Sequence, residues 1–209
     1  MRAKKLFLFD FDGVLVDSLD VYIRATRWCL EQIGMPIVNS TADYLALFED
    51  NFYEALQNRG INLDAFAQAS ALYTELQGGD YYGDVRSFPF MPPILEALSK
   101  DHLLGIISSN SNSAIERIFS RNEYKNFFQA TLGADFSLSK KDKIIHALER
   151  FQMKRNDTYY IGDTVGDIKE GRLAGIVTVA VTWGWHTREK LVAANPDYVI
   201  ESPDMLLTL

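Results

Sequence analysis

The stretch Phe7-Leu8-Phe9-Asp10-Phe11-Asp12-Gly13-Val14-Leu15-Val16-Asp17-Ser18 runs from an apolar segment straight into two acids and a glycine. A short apolar run that stops at turn residues reads as a buried strand ending in a loop. Asp10 and Asp12 stand two apart at that end and repel each other unless a cation or a proton is shared between them. A purely structural loop has little use for such a pair among apolar residues, so a metal or a catalytic role is expected to begin at residue 10.

The rest of the chain alternates. Strands are expected at Lys5 to Phe9, Leu103 to Ser108, Thr158 to Ile161 and Ile176 to Val181, with shorter ones at Ala130 to Leu132 and Tyr198 to Ile200. Helical patterns over Pro93 to Lys100, Ser113 to Ser120, Asp142 to Phe151 and Asp167 to Ala174 separate them. This alternation predicts an α/β fold with a doubly wound, parallel, Rossmann-like sheet, whose ligands sit at the carboxyl ends of the strands. Asp10 and Asp12 fall at one such end, Ser108-Ser109-Asn110 at a second and Gly162-Asp163 at a third.

Between residues 16 and 85 the pattern changes to successive helical periods without a strand. Expected helices run from Ser18 to Ile33, with Leu19, Ile23, Thr26, Leu30 and Ile33 on one stripe, from Thr41 to Arg59, and from Leu63 to Leu76. Gln77-Gly78-Gly79-Asp80 and the cluster Pro89, Pro92, Pro93 mark the return. The expected division is a core of residues 1–15 and 86–209 with residues 16–85 as an inserted α-helical domain.

Composition excludes several classes. At 209 residues and 47% hydrophobic the chain suits one core with a smaller insertion. Its net charge of −7 argues against nucleic acid. No stretch reaches the roughly 18 apolar residues that span a bilayer, so no membrane association is expected and a cytoplasmic setting is. Cys29 is the single cysteine and reads as a packed hydrophobe. His102, His146 and His186 lack metal-ligand spacing to one another; His186 follows a strand end and borders the expected cleft. Arg24 and Arg27 lie opposite the apolar stripe of the first inserted helix, facing solvent or a substrate carboxylate.

Four separated pieces fall in order: Asp10-Phe11-Asp12-Gly13, Ser109-Asn110, Lys140, and Gly162-Asp163-Thr164-Val165-Gly166-Asp167. Together they resemble the signature of the haloacid dehalogenase-like hydrolase superfamily, and the insertion resembles its helical cap. Gly13-Val14-Leu15-Val16-Asp17-Ser18, Arg172-Leu173-Ala174-Gly175 and Val181-Thr182-Trp183-Gly184 are most similar to the phosphoglycolate phosphatase-like group.

The resemblance implies a Mg²⁺-dependent phosphatase that hydrolyses a small phosphomonoester metabolite, with a phosphoglycolate-like ester as one candidate, through an aspartyl phosphate. It implies Asp10 as nucleophile and Asp12 as acid and base, with a pKa raised by the nearby carboxylates. Asp10, Asp12 through its main-chain carbonyl, Asp163 and, by an indirect contact, Asp167 are implied at the metal. Phe11, Asp12, Ser109, Asn110 through its N–H, and Lys140 are implied at the phosphate, with Lys141 as the alternative lysine and Lys143 exposed. The cap is implied to close over the site from hinges near Val16 and Tyr82 to Ser87.

Two alternatives remain open in the sequence. One is a phosphosugar mutase of the β-phosphoglucomutase type, although that group carries a cap histidine and none occurs here before His102. The other is a catalytically silent module that binds phosphate or a partner. Monomer and homodimer are not distinguished by the sequence.

Overall fold

The computed structural model describes residues 4–77, 81–121 and 127–209. Its elements run β1 (Leu6–Phe9), β2 (Val16–Asp17), α1 (Leu19–Gln32), α2 (Thr41–Leu45), α3 (Phe52–Asn58), α4 (Leu63–Leu76), β3 (Arg86–Ser87), α5 (Met91–Ser99), β4 (Leu103–Ile107), α6 (Asn112–Phe119), β5 (Ala130–Leu132), α7 (Lys140–Phe151), β6 (Thr158–Gly162), α8 (Val165–Ala174), β7 (Val177–Val181), α9 (Arg188–Ala193) and β8 (Tyr198–Ile200). Six strands form one parallel sheet in the order β5-β4-β1-β6-β7-β8.

β1 is central because it can be buried on both faces. Phe7 and Phe9 point into one cluster with Leu104, Ile106 and Ile161, while Leu6 and Leu8 point into another with Ile144, Leu148 and Tyr160. A strand covered on both sides by helices reads as an unbroken apolar run, which is how residues 6–9 read. The chain winds outward from β1 through β4 and β5 on one side and through β6, β7 and β8 on the other. The crevice where the winding reverses, at the carboxyl ends of β4, β1 and β6, is where such sheets bind ligands.

Residues 18–77 form a separate helical layer with its own apolar cluster, including Ile23, Leu30, Tyr44, Leu47, Leu56 and Ile61. Within α1 the expected stripe holds: Ile23, Thr26 and Leu30 are buried. The layer joins the sheet through a two-stranded antiparallel ribbon in which Val16 pairs with Ser87 and Asp17 with Arg86. The expected helix from Thr41 to Arg59 is corrected: it is α2, a 3₁₀ turn at Ala46–Glu49, and α3. The break has a local cause, since Asp50 is extended and the Asn51 side chain accepts the Tyr53 and Glu54 N–H groups to start α3. Of the expected Gln77-Gly78-Gly79-Asp80 connection, residues 78–80 lie outside the described residues. No described helix is long and apolar enough to cross a membrane.

Candidate active site

The loop after β1 folds back on itself and aims its acids into the crevice. Gly13 N–H donates to the Val16 carbonyl at 2.9 Å, and Leu15 N–H to the Phe11 carbonyl at 2.9 Å. Phe11, Val14 and Leu15 are driven into the core. Gly13 is left-handed, at φ 73°, and a Cβ there would fall 2.1 Å from Asp163 Oδ2, so both the turn and the approach of the third loop require glycine. Asp10 is thereby fixed at the strand end: its Oδ1 accepts the Phe11 N–H at 2.7 Å and its Oδ2 the Lys140 ammonium at 2.7 Å.

Lys140 comes from the first turn of α7, which starts two residues before the expected Asp142 because Ser139 caps it. Its Nζ lies 2.7 Å from Asp10 and 2.6 Å from Asp167, all three side chains being nearly inaccessible. Asp167 is held in turn by the Thr164 hydroxyl at 2.6 Å, the Thr164 N–H at 3.1 Å and the Tyr160 hydroxyl at 2.9 Å. Burial opposes charge on every member of this group, and the balance differs at each. Burial lowers the Lys140 pKa, but Asp10 and Asp167 outweigh it and hold the ammonium above the ordinary lysine range. Burial raises Asp167, and Lys140 with the Thr164 and Tyr160 bonds brings it below the carboxylate range. Asp10 is pushed up to about 7 by burial against the pull of Lys140.

Asp163, after β6, has no cation of its own. Its Oδ2 accepts the Trp185 N–H at 2.6 Å, while its Oδ1 is buried with no hydrogen-bond partner. Burial, then the Asp167 and Asp10 charges, raise its pKa well above the carboxylate range. One oxygen from each of Asp10, Asp163 and Asp167 lies within 4.8 Å of the others. Three buried carboxylates with one ammonium among them, and one orphaned oxygen, form a hard-oxygen set with surplus negative charge, which fits a divalent cation.

Asp12 is not in that triad. Its Oδ1 accepts the Ser18 hydroxyl and its Oδ2 the Asn110 side-chain amide, both at 2.7 Å. Its pKa is pushed up to about 6, by burial; Ser18, Lys140 and Asn110 all work against the rise. The expectation that neighbouring carboxylates raise it is therefore corrected: desolvation does so.

Beyond β4, Ser108 is buried and its Oγ accepts the Asn110 N–H at 3.0 Å. That N–H, expected at a phosphate, is engaged within its own turn here. Ser109 lines the cleft and its carbonyl accepts the Tyr53 hydroxyl at 2.8 Å. Lys143, expected to be exposed, is fully buried and donates to the Ser108 carbonyl at 2.5 Å. It lies one turn after Lys140 on the same helix face, and burial followed by repulsion from Lys140 lowers its pKa to about 8. Lys141 is half-buried, and its N–H donates to Glu170.

The remaining candidates serve the frame. His186 Nδ1 accepts the Val165 N–H at 3.0 Å, so its Nε2 carries the proton and donates to the Leu45 carbonyl at 3.0 Å, tying the sheet domain to the helical layer. His102 Nδ1 accepts the Lys5 N–H, and His146 packs on Phe136. Trp183 Nε1 donates to the Val14 carbonyl; Trp185 packs on Tyr44 and Phe48. Arg24 pairs with Asp84, and Arg27 donates to the Val38 carbonyl. Cys29 is buried.

Tyr160 and Tyr53 escape the sequence reading, and Lys143 enters it only as an exposed residue. Thr164 with Asp167 carries a legible signal, the spacing of a capping box, and the structure forms one at the start of α8. Tyr53 has no local signal, since its target, Ser109, is distant in sequence.

Comparison with known proteins shows the family. A family model described as haloacid dehalogenase-like hydrolase matches residues 7–181. A phosphoglycolate phosphatase of Synechococcus elongatus is 32% identical over 202 residues, covering 96% of this chain and 94% of that protein. The pyrophosphatase PpaX of Listeria monocytogenes is 27% identical over 206 residues, covering 97% and 94%. Among solved structures, a haloacid dehalogenase-like family hydrolase of Streptococcus pneumoniae superposes with a TM-score of 0.79 at 25% identity, covering 100% of this chain and 99% of that one. With nearly its whole length matched and the four motif pieces converging on one crevice, the chain belongs to the haloacid dehalogenase-like hydrolase family, in its phosphoglycolate phosphatase-like group of phosphatases.

Proposed function

We propose that this phosphatase hydrolyses small phosphomonoesters through an aspartyl phosphate on Asp10, with Mg²⁺ as its cation. One observation carries the reading: Asp10 is clamped by Phe11 N–H and Lys140 at the floor of a cleft it shares with Asp12, beside an orphaned carboxylate oxygen of Asp163. In the first step an Asp10 oxygen attacks phosphorus, the P–O ester bond breaks, and Asp12 gives its proton to the departing alkoxide. In the second, Asp12 takes a proton from water, the water oxygen attacks phosphorus, and the bond to Asp10 breaks to release inorganic phosphate. A pKa of about 6 lets Asp12 serve in both protonation states near neutrality.

Lys140 orients Asp10 and offsets part of the burial that raises its pKa, with Asp167 locking Lys140 in place. In this reading the Ser109 hydroxyl meets a phosphoryl oxygen at the next strand end, and the Asn110 N–H does so only by exchanging its bond to Ser108 Oγ for one to the phosphate. Asp10 and Asp163, with the Asp12 main-chain carbonyl, would hold the metal, Asp167 being committed to its protein partners. When bound, Mg²⁺ would supply the positive charge that ionises Asp10 and neutralises the phosphoryl oxygens.

Residues 16–85 act in this reading as a cap hinged on the β2–β3 ribbon, excluding water during the reaction. A lone buried cysteine and a net charge of −7 support a cytoplasmic setting and a small-molecule substrate rather than nucleic acid.

The test is phosphate release from alkyl phosphates with and without Mg²⁺, for the wild type and Asp10→Asn. Release that needs both the metal and Asp10 is expected. A folded wild type that binds phosphate yet releases none from any ester would leave the silent-module reading in its place.

A further inference from the structure

The cleft extends well past the reacting groups, to about 560 Å³. That lies within the range of roughly 300–1,000 Å³ that encloses drug-sized ligands. A phosphate with a two-carbon acid fills only its inner end.

The space is coded in two facing helices. Towards it α1 turns Ala25 and Cys29, and α4 turns Ala67, Ser70 and Ala71. These positions recur at helical spacing and, flanked on the same helices by Tyr22, Leu63 and Phe66, leave open the volume that larger residues would fill. Phe48, Phe52, Phe66 and Trp185 add an aromatic lining, and Trp185 reaches the reacting end, where its main-chain N–H donates to Asp163. The Trp185 indole N–H is buried there without an acceptor among the described residues.

The charged groups on the cleft, Asp10, Asp12, Lys140 and Arg117, all come from the sheet domain. No Lys, Arg, Asp or Glu of residues 18–77 lines the cleft. The helical layer has only three cationic residues, and each is turned elsewhere: Arg24 to Asp84, Arg27 to the Val38 carbonyl and Arg59 to the Ala55 carbonyl. Arg117 of α6 is the other cation beside Lys140 on the cleft, and it is exposed. A substrate carboxylate in the inner cleft would thus be desolvated against aromatic rings, whereas a flat apolar group gains both burial and ring contacts.

We infer that the preferred substrates are phosphomonoesters of alcohols with a bulky, uncharged, flat apolar body rather than of a small hydroxy acid. This rests on the phosphatase reading above and narrows it. The discriminating experiment compares kcat/KM for ethyl phosphate, 2-phenylethyl phosphate, 2-(2-naphthyl)ethyl phosphate and 2-phosphoglycolate. The first three share a primary alkoxide leaving group and differ mainly in the apolar body. Adding the ring is expected to raise kcat/KM about 10- to 100-fold over ethyl phosphate. Ala71→Phe, which fills the exposed side of the cleft, is expected to shrink that ratio towards one.

Phosphoglycolate turned over better than 2-phenylethyl phosphate would overturn the inference and leave the phosphatase reading standing. So would a carboxylate preference abolished by Arg117→Ala, because the cleft would then read charge. If no ester releases phosphate, the phosphatase reading fails, and the inference is judged by binding alone. Quenching of tryptophan fluorescence by 2-phenylethylphosphonate but not by ethylphosphonate upholds it; equal binding of the two overturns it.

Discussion

Lys140 answers two buried carboxylates at once, and its removal has a consequence at each. Lys140→Met leaves Asp10 and Asp167 without their cation, a loss expected to cost about 3–5 kcal/mol of unfolding free energy, measurable as a fall in the urea midpoint. Asp12→Asn removes a proton donor rather than a charge partner. It is expected to slow hydrolysis of an alkyl phosphate about 10²–10⁴-fold, and to slow formation of the phosphoenzyme much less from an aryl phosphate, whose leaving group needs no proton. Rapid-quench measurement of the phosphoenzyme separates the two steps. Lys143 supplies a pH test. Its folded pKa, about 8, lies below the ordinary 10.5, so between these values the unfolded chain binds more protons and the wild type gains stability as pH rises. Unfolding midpoints of wild type and Lys143→Met, followed from pH 7.5 to 10, should show the wild type gaining on the variant. Lys143 also marks the limit of reading residues singly: a lysine in Ser139-Lys140-Lys141-Asp142-Lys143 reads as solvated until α7 turns it onto the Ser108 carbonyl.

At the level of elements, the sheet was legible because each strand is a short apolar run stopped by turn residues, and β5 and β8 fall where the run predicts. Asp10 and Asp163 were legible as acids at strand ends, whereas Lys140 was reached through the family resemblance alone, with Lys141 as the alternative and the helix expected from Asp142. The Thr41 to Arg59 segment misled because its apolar periodicity continues through a break that the Asn51 cap makes locally and distant contacts of the same side chain hold in place. Asn51 caps α3 while its side-chain amide donates to the Leu138 carbonyl and to Glu170, partners far away in sequence. The same loop presses on α8. A Cβ on Gly166 would lie 2.4 Å from the Asp50 carbonyl oxygen and 2.9 Å from that of Phe48. Gly166→Ala must therefore push the loop away, at a cost of about 1–3 kcal/mol. Hydrogen exchange should quicken across residues 46–53 while the amides of β1, β4 and β6 stay protected.

At the scale of the molecule, hydrogen bonds hold the helical layer to the sheet domain, among them Tyr53 to Ser109, Asn51 to Glu170, and His186 to Leu45. The ion pairs Lys169–Asp50 and Lys190–Glu49 are solvent-exposed and add little. Raising ionic strength should therefore shift KM for a neutral-bodied ester less than Asn51→Ala does, a comparison that steady-state kinetics can make directly. The central strand carries a different consequence. Leu6 of β1 pairs with Leu103 and with Thr158. On a ribosome adding about 5–20 residues per second, the strand emerges and then waits on the order of ten seconds for its first neighbour, and longer for its second. The helices of residues 18–77 arrive within that interval and can gather their own apolar cluster. The strand made first is thus among the last to be enclosed, and in a cell its yield depends on whatever shields Phe7 and Phe9 while translation continues.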